Sequence, residues 1–222
     1  MCIFYYNSSM KFESLLQIVG DEPVFETALL FAGGVDPAQI QRQVAGWTRR
    51  GWLHQLRRGL YALAPPFRKV EAHPYLISNR LVPGSYVSLQ SALSLYGLIP
   101  EAVPVTTAVG PGRPAAYDTP LGSFLFHHEK PELSFGYRQV ELGHQTAPLV
   151  ALPEKALLDL VHLTPLGDRP EYLTELRLQN LEQLDMERLE RFARRFERPK
   201  LRRAVQSLRC LAEGQDLEVL EL

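Results

Sequence analysis

DPAQIQRQVAGWTRRGWLHQLRRGLYALAPP, residues 36–66, decides the reading of the fold. Its first residues have the chemistry of a helix start. The Asp36 carboxylate suits an N-cap, where it can accept orphan amides of the first turn. Pro37 suits N1, which needs no donor, and Gln39 stands at N3 as in a capping box. The helix is predicted to run to about Arg50 and to stop at Gly51. Ile40, Val44 and Trp47 fall at i, i+4 and i+7, so they form one apolar stripe. Arg42 and Arg49 lie about half a turn around the helix from that stripe, with Ala38 and Ala45 beside them and Gln41 flanking. Small residues on that side let the backbone approach a surface, and arginine and glutamine can reach phosphates and base edges. Trp52–Leu56 then reads as a strand, Arg57-Arg58-Gly59 as a turn and Leu60–Leu63 as its returning strand. Gly59 can take the positive φ that a tight hairpin needs.

Upstream, Phe12, Leu15, Leu16 and Val19 give Lys11–Val19 a helical period closed by Gly20. Glu26–Ala32 reads as a short second helix, entered after Pro23 and ended by Gly33-Gly34. Three helices followed by a hairpin with two arginines at its tip is the layout of a winged helix-turn-helix. Its third helix enters the major groove and its wing touches backbone or minor groove. On this reading Gln41 and Arg42 meet the groove, Arg49 and Arg50 meet phosphate, and Arg57 and Arg58 act from the wing. Ile40, Val44, Trp47 and Trp52 hold the helix in place. The alternative is a surface helix and a hairpin whose arginines are merely solvated.

Charge bears on that choice. Residues 33–70 hold seven basic residues and one acid, a net of +6, while the rest of the chain holds 17 basic and 24 acidic. A basic block inside a mildly acidic protein is an electrostatic footprint for a polyanion, or a solvated basic face.

Ala64-Pro65-Pro66 ends the first domain, expected over 10–66, because two prolines stop strand pairing and stiffen the connection. The second, over 67–222, mixes helices and strands. Pro74–Val82 and Leu89–Tyr96 read as helices, the latter capped by Ser88 and closed by Gly97. Val103–Val109, Ser123–His128, Tyr137–Leu142 and Ala147–Ala151 read as strands, with a turn or loop over 110–114. Pro153 opens a helix with Leu157, Leu160 and Val161 inside, and helices follow at about Arg169–Leu178, Met186–Glu197 and Leu201–Ala212. The expected class is α+β: a winged helix-turn-helix, then a mixed α/β domain with a helical C-terminal third.

Composition narrows the function classes. The chain is 45% hydrophobic and 22% charged, as ordinary globular proteins are. No apolar run approaches the ~18 residues of a membrane span. Cys2–Tyr6 has no basic region before it and no cleavage site after it, so no signal peptide is read there; the second possibility is that translation starts at Met10 rather than Met1. Cys2 and Cys210 stand at opposite ends and make neither a disulfide framework nor a metal knuckle, which points to the reducing cytoplasm.

Catalytic and metal motifs are missing. None of the five lysines has Glu or Gln two positions earlier, as a restriction-type nuclease site commonly requires. There is no Walker A loop, Gly-x-Ser-x-Gly elbow or His-Glu-x-x-His, and His127-His128-Glu129 lacks metal-ligand spacing to the scattered histidines. Lys155 and Asp159, at i and i+4, read as a surface ion pair, and Glu154 suits the helix start. The expectation is no enzyme, no metal and no cofactor. In the helix from Met186, the residues Met186, Leu189, Phe192 and Phe196 make an apolar side. Arg188, Arg191, Arg195 and Arg198 project largely away from it, as a solvated face or as a docking face for a partner.

Three segments carry a resemblance. They are Arg57-Arg58-Gly59-Leu60-Tyr61-Ala62-Leu63; Tyr86-Val87-Ser88-Leu89-Gln90-Ser91-Ala92-Leu93 with Tyr96-Gly97-Leu98-Ile99-Pro100; and Ala151-Leu152-Pro153-Glu154-Lys155-Ala156-Leu157-Leu158-Asp159-Leu160. In this order and spacing the chain resembles the AbiEi family of bacterial antitoxins and transcriptional repressors of type IV toxin–antitoxin systems, over roughly residues 10–165. The resemblance implies an N-terminal domain that binds inverted repeats in double-stranded DNA at its own promoter. It also implies a C-terminal antitoxin domain and a nucleotidyltransferase-like toxin encoded alongside. The alternative is a stand-alone winged-helix regulator whose α/β domain binds a ligand or mediates assembly.

Overall fold

The structure is a computed structural model and describes residues 10–33, 36–101, 103–142 and 148–214. The expectations for Met1, Cys2–Tyr6, Gly34 and Ala147 lie outside the described residues.

The first elements in the chain are α1 (Phe12–Val19), β1 (Phe25–Glu26), a 3₁₀ segment (Thr27–Gly33), α2 (Pro37–Arg49), β2 (Leu53–Arg57) and β3 (Leu60–Leu63). α2 starts as its sequence dictates: the Asp36 carboxylate accepts the Ala38 N–H at 3.0 Å and Pro37 sits in the first turn. It ends before Gly51, at φ +73°. Its buried residues are Ile40, Val44 and Trp47, each worth roughly 1.5–3 kcal/mol when fully buried. They pack with Phe12, Leu15, Val19 and Leu30. The Phe12 ring sits between Trp52, at 4.7 Å, and Phe67, at 4.8 Å, and so fastens α1 to the segments on either side of the hairpin.

β2 and β3 form an antiparallel hairpin with Arg58-Gly59 at the turn, and Gly59 has φ +82°. β1 pairs with β3, giving the sheet order β1-β3-β2. Here the structure corrects the expected helix over Glu26–Ala32. Glu26 is held in the ladder opposite Leu60, and the Thr27 N–H donates to the Gly59 carbonyl at 2.9 Å. Only a 3₁₀ segment is left for the residues that follow.

The remaining elements are α3 (Pro74–Leu81), β4 (Tyr86–Val87), α4 (Leu89–Leu95), β5 (Val105–Gly110), β6 (Ala115–Thr119), β7 (Gly122–His128), β8 (Tyr137–Gln139), β9 (Leu149–Ala151), α5 (Pro153–Leu163), α6 (Pro170–Glu175), α7 (Met186–Phe196) and α8 (Pro199–Ala212). The strands form one sheet in the order β6-β7-β5-β4-β9-β8. β5 runs parallel to β7 and β4 parallel to β9; the other pairs are antiparallel. The class is α+β with a helical C-terminal region. No helix among the described residues is long and apolar enough to cross a membrane.

Alternation along β5 sends its side chains to two cores. Val109 joins a large core with residues of β4, β9 and helices α4 to α8. Ala108 joins Phe124 and Phe126 of β7, Ile77 and Leu81 of α3, and Leu56, Leu60 and Ala62 of the hairpin. The hairpin is thus packed through its apolar face onto the six-stranded sheet. Residues on both sides of Pro65-Pro66 share one core.

Candidate nucleic-acid interface

The outward side of α2 carries Ala38, Gln41, Arg42, Ala45 and Arg49, all exposed, and α2 contains no acidic residue. Gln43, on its flank, donates to the Met10 carbonyl at 2.6 Å and ties the approach to α1 onto the helix. A shallow groove of about 700 Å³ runs between α1 and α2, with Arg42, Arg50, Gln39 and Glu13 among its walls. The Arg50 guanidinium lies 5.3 Å from the Trp52 ring centre, which orients it at the helix exit. Arg58 is exposed at the hairpin turn.

Arg57 departs from the expectation of two adjacent arginines reaching out from the wing. Its guanidinium turns back: Nη2 donates to Glu26 Oε1 at 3.3 Å and to the Arg80 carbonyl of α3 at 3.4 Å, and Nη1 donates to the Arg58 carbonyl at 3.2 Å. The side chain is only 27% exposed. The cause is register. Leu56 enters the shared core, so Arg57 emerges beside β1 and α3 rather than at the tip. Two other members of the basic block are also paired, Lys69 with Asp21 at 3.0 Å and Arg68 with Glu71 at 3.5 Å. The basic residues of the block with no acidic partner among the described residues are Arg42, Arg49, Arg50 and Arg58. Gln41 shares their face of α2, whereas Arg57 does not join them.

The expected arginine face of α7 is divided. Arg188 pairs with Asp185 at 2.9 Å and approaches Glu154 at 3.6 Å, closing the start of the helix. The Arg195 guanidinium stacks 3.6 Å over the Phe135 ring centre. Arg191 and Arg198 are exposed, so the four residues do not act as one free surface.

The pair Lys155–Asp159 corrects the expectation of a surface contact. Both side chains are 0% exposed and they bond one another directly. Asp159 also accepts from the Ser88 hydroxyl at 2.8 Å and the Tyr86 phenol at 3.2 Å. Ser88 therefore spends its hydroxyl on Asp159 and not on capping α4. The Lys155 ammonium lies 4.7–5.4 Å from the ring centres of Phe196, Phe135 and Tyr86. Burial pushes the Asp159 carboxyl up from its ordinary range, and the Lys155 ammonium pulls against that shift. The cluster is sealed by side chains and serves the core. Glu154, also buried, accepts the Asp185 N–H at 2.9 Å and so anchors α7 to α5.

Three histidines add a pH dependence. Burial holds His73, His127 and His162 below the ordinary value of 6.5; for His162 the nearby Asp159 opposes the shift, and Arg198, Lys200 and Lys155 add to it. His162 is therefore neutral at neutral pH, and its 3.6 Å approach to Glu129 is not an ion pair there. Below about pH 6.5 the unfolded chain binds these protons more readily than the folded one, so stability falls as pH drops through that window. Melting temperature should be level above about pH 7 and should fall towards pH 5.5, less steeply in His162→Gln. An equal slope in that variant would remove His162 from the account. No group of three or more His, Cys, Asp or Glu residues placed to hold a metal ion occurs among the described residues.

Mixed α/β order with a helical C-terminal region is the class that elements and sheets define. The chain is similar in fold to the crystal structure of the Rv2827c protein from Mycobacterium tuberculosis, with a TM-score of 0.54 and 19% identity over 87% of this chain and 75% of that one. At that identity the likeness concerns the fold alone. No family model and no curated protein matches the chain.

Proposed function

We propose that the chain is a double-stranded-DNA-binding transcription regulator that works in the cytoplasm without catalysing a reaction. Residues 10–66 form its winged helix-turn-helix reader and residues 67–222 its partner or antitoxin domain. One observation carries the reading: Arg42, Arg49, Arg50 and Arg58, all exposed, have no acidic partner among the described residues, and α2, which bears two of them with Gln41 and two alanines, holds no acid. Small residues permit close approach of the helix, the glutamine and arginines supply base-edge and phosphate donors, and no carboxylate on the helix repels the polyanion. The order α1, β1, 3₁₀ segment, α2, β2, β3, with β3 central in its sheet, supports the same reading. With the AbiEi resemblance, the role proposed is autoregulating repressor and antitoxin, with promoter inverted repeats and a nucleotidyltransferase-like toxin as partners.

The test is binding to the DNA upstream of the chain's own gene, against a scrambled duplex of equal length, at about 150 mM salt, the range in which specific and non-specific affinities separate. Preferential binding that Arg42→Ala/Arg58→Ala abolishes is the expected result. Equal affinity for both duplexes, unchanged in the variant, overturns it.

A second reading, a stand-alone regulator answering to a small ligand, draws on a cavity of about 520 Å³ walled by Leu89, Ile99, Leu125, His127, Leu160 and Leu163. That volume is in the range of ligand sites. A nucleotidyltransferase gene beside this one favours the antitoxin.

A further inference from the structure

The C-terminal helices carry a second positive region: residues 186–213 hold nine basic and four acidic residues. Three of its eight arginines are committed elsewhere. Arg188 closes the start of α7, Arg195 lies on Phe135, and Arg203 pairs with Asp168 at 2.6 Å. Three others, Arg194, Arg202 and Arg209, wall a groove of about 370 Å³ between α7 and α8 around Glu190, with Ala193 and Val205 on its floor. Arg194 reaches Glu190 at 3.9 Å and Arg209 bonds the same carboxylate. Arg202 is exposed and has no acidic partner among the described residues. Two of the three guanidiniums thus share one carboxylate and the third has none, so the groove carries a net positive charge.

We propose that this groove is a docking site for an acidic amphipathic helix of a protein partner. Charge complementarity decides the sign of the occupant, since a net positive trough takes carboxylates. Arg202 and Arg209 are seven residues apart on α8, two turns or about 10.5 Å. That span matches carboxylates two turns apart on a helix lying along the groove, with Arg194 closing on them from α7. The floor argues for protein rather than nucleic acid: Ala193 and Val205 accept an apolar side chain. Glu190, in the middle of the trough, repels a phosphate backbone, whereas a helix can place an uncharged residue over it. The inference is independent of the DNA reading, because none of these residues belongs to α2 or the hairpin.

The test uses the full chain and a fluorescein-labelled 18-residue amphipathic peptide with glutamates at i, i+4 and i+7 on one side and leucines on the other. A control peptide carries lysines in place of the glutamates. Saturable anisotropy binding of the glutamate peptide alone is expected, weakened at least about tenfold by Arg194→Glu/Arg202→Glu and hardly at all by Arg113→Glu on a distant turn. Matching melting temperatures show that the variants remain folded, and Arg202→Gln, which removes charge without reversing it, should give an intermediate loss. No saturation by about 1 mM peptide, the weakest class of affinity, or equal binding to the double variant, overturns the proposal. So does a double variant that keeps the peptide and loses duplex DNA, which would make the groove a nucleic-acid surface. Loss of DNA binding in Arg42→Ala/Arg58→Ala with peptide binding intact separates this result from the fate of the promoter reading.

Discussion

Replacing Lys155 by methionine is expected to cost about 3–5 kcal/mol of stability, the usual penalty for breaking a buried ion pair from one side. The methionine keeps the volume and the contacts with Phe135, Phe196 and Tyr86, so little of the loss can be assigned to a cavity. What is lost is the counter-charge of Asp159, which remains 0% exposed and keeps the Ser88 and Tyr86 hydroxyls as donors. Burial already raises the pKa of that carboxyl, so without the ammonium it takes up a proton and the protein becomes least stable at high pH. Asp159→Leu should cost a similar amount by stranding the ammonium. The double variant Lys155→Met/Asp159→Leu should recover part of either loss, because removing both charges leaves only two hydroxyls without an acceptor. In a protein of this size, 3–5 kcal/mol corresponds to a fall in melting temperature of about 6–20 °C. Additive single and double losses would mean that the two groups stabilise the fold separately, contrary to their direct bond.

This pair also marks where sequence reasoning reached its limit. Opposite charges at i and i+4 look the same on a solvated helix and on a buried one. The distinction lies in Tyr86, Phe135 and Phe196, which come from three other segments and meet around Lys155 only in the fold. One local sign was present. Ala156, Leu157, Leu158, Leu160 and Val161 surround the pair on all sides of α5, and a helix apolar all round is a buried helix. α2 was legible because its determinants are local: an Asp36–Pro37 start, one stripe and a glycine stop. The edge strand β6 was not. Ala115-Ala116-Tyr117-Asp118-Thr119 is short and mostly small or polar, and its pairing with β7 is what makes it a strand. Arg57 was misplaced for a related reason. Counting residues puts it at the hairpin turn, but the burial of Leu56 against Phe124 and Phe126 turns the next side chain towards Glu26.

The salt dependence of DNA binding turns that placement of Arg57 into a measurement. Each phosphate neutralised contributes about −0.9 to the slope of log affinity against log salt. The four arginines without acidic partners among the described residues, at positions 42, 49, 50 and 58, place four positive charges against the phosphates and therefore set a slope of about −3.6, or an affinity loss of about 150-fold between 50 and 200 mM salt. Arg42→Ala/Arg58→Ala should halve the slope to about −1.8. Arg57→Ala should leave it close to the starting value, because that guanidinium is already spent on Glu26 and on the Arg58 and Arg80 carbonyls. Its cost should show in thermal stability instead, through the lost link between hairpin and α3. Glu26→Gln tests the same geometry from the other side. Removing the carboxylate frees part of the Arg57 charge next to the wing, so affinity should rise and the slope should steepen towards about −4.5, one more phosphate. If Arg57→Ala instead flattened the slope as much as Arg58→Ala does, the guanidinium would have to leave Glu26 for a phosphate on binding. The hairpin would then exchange an internal ion pair for an external one, and Glu26 would compete directly with DNA.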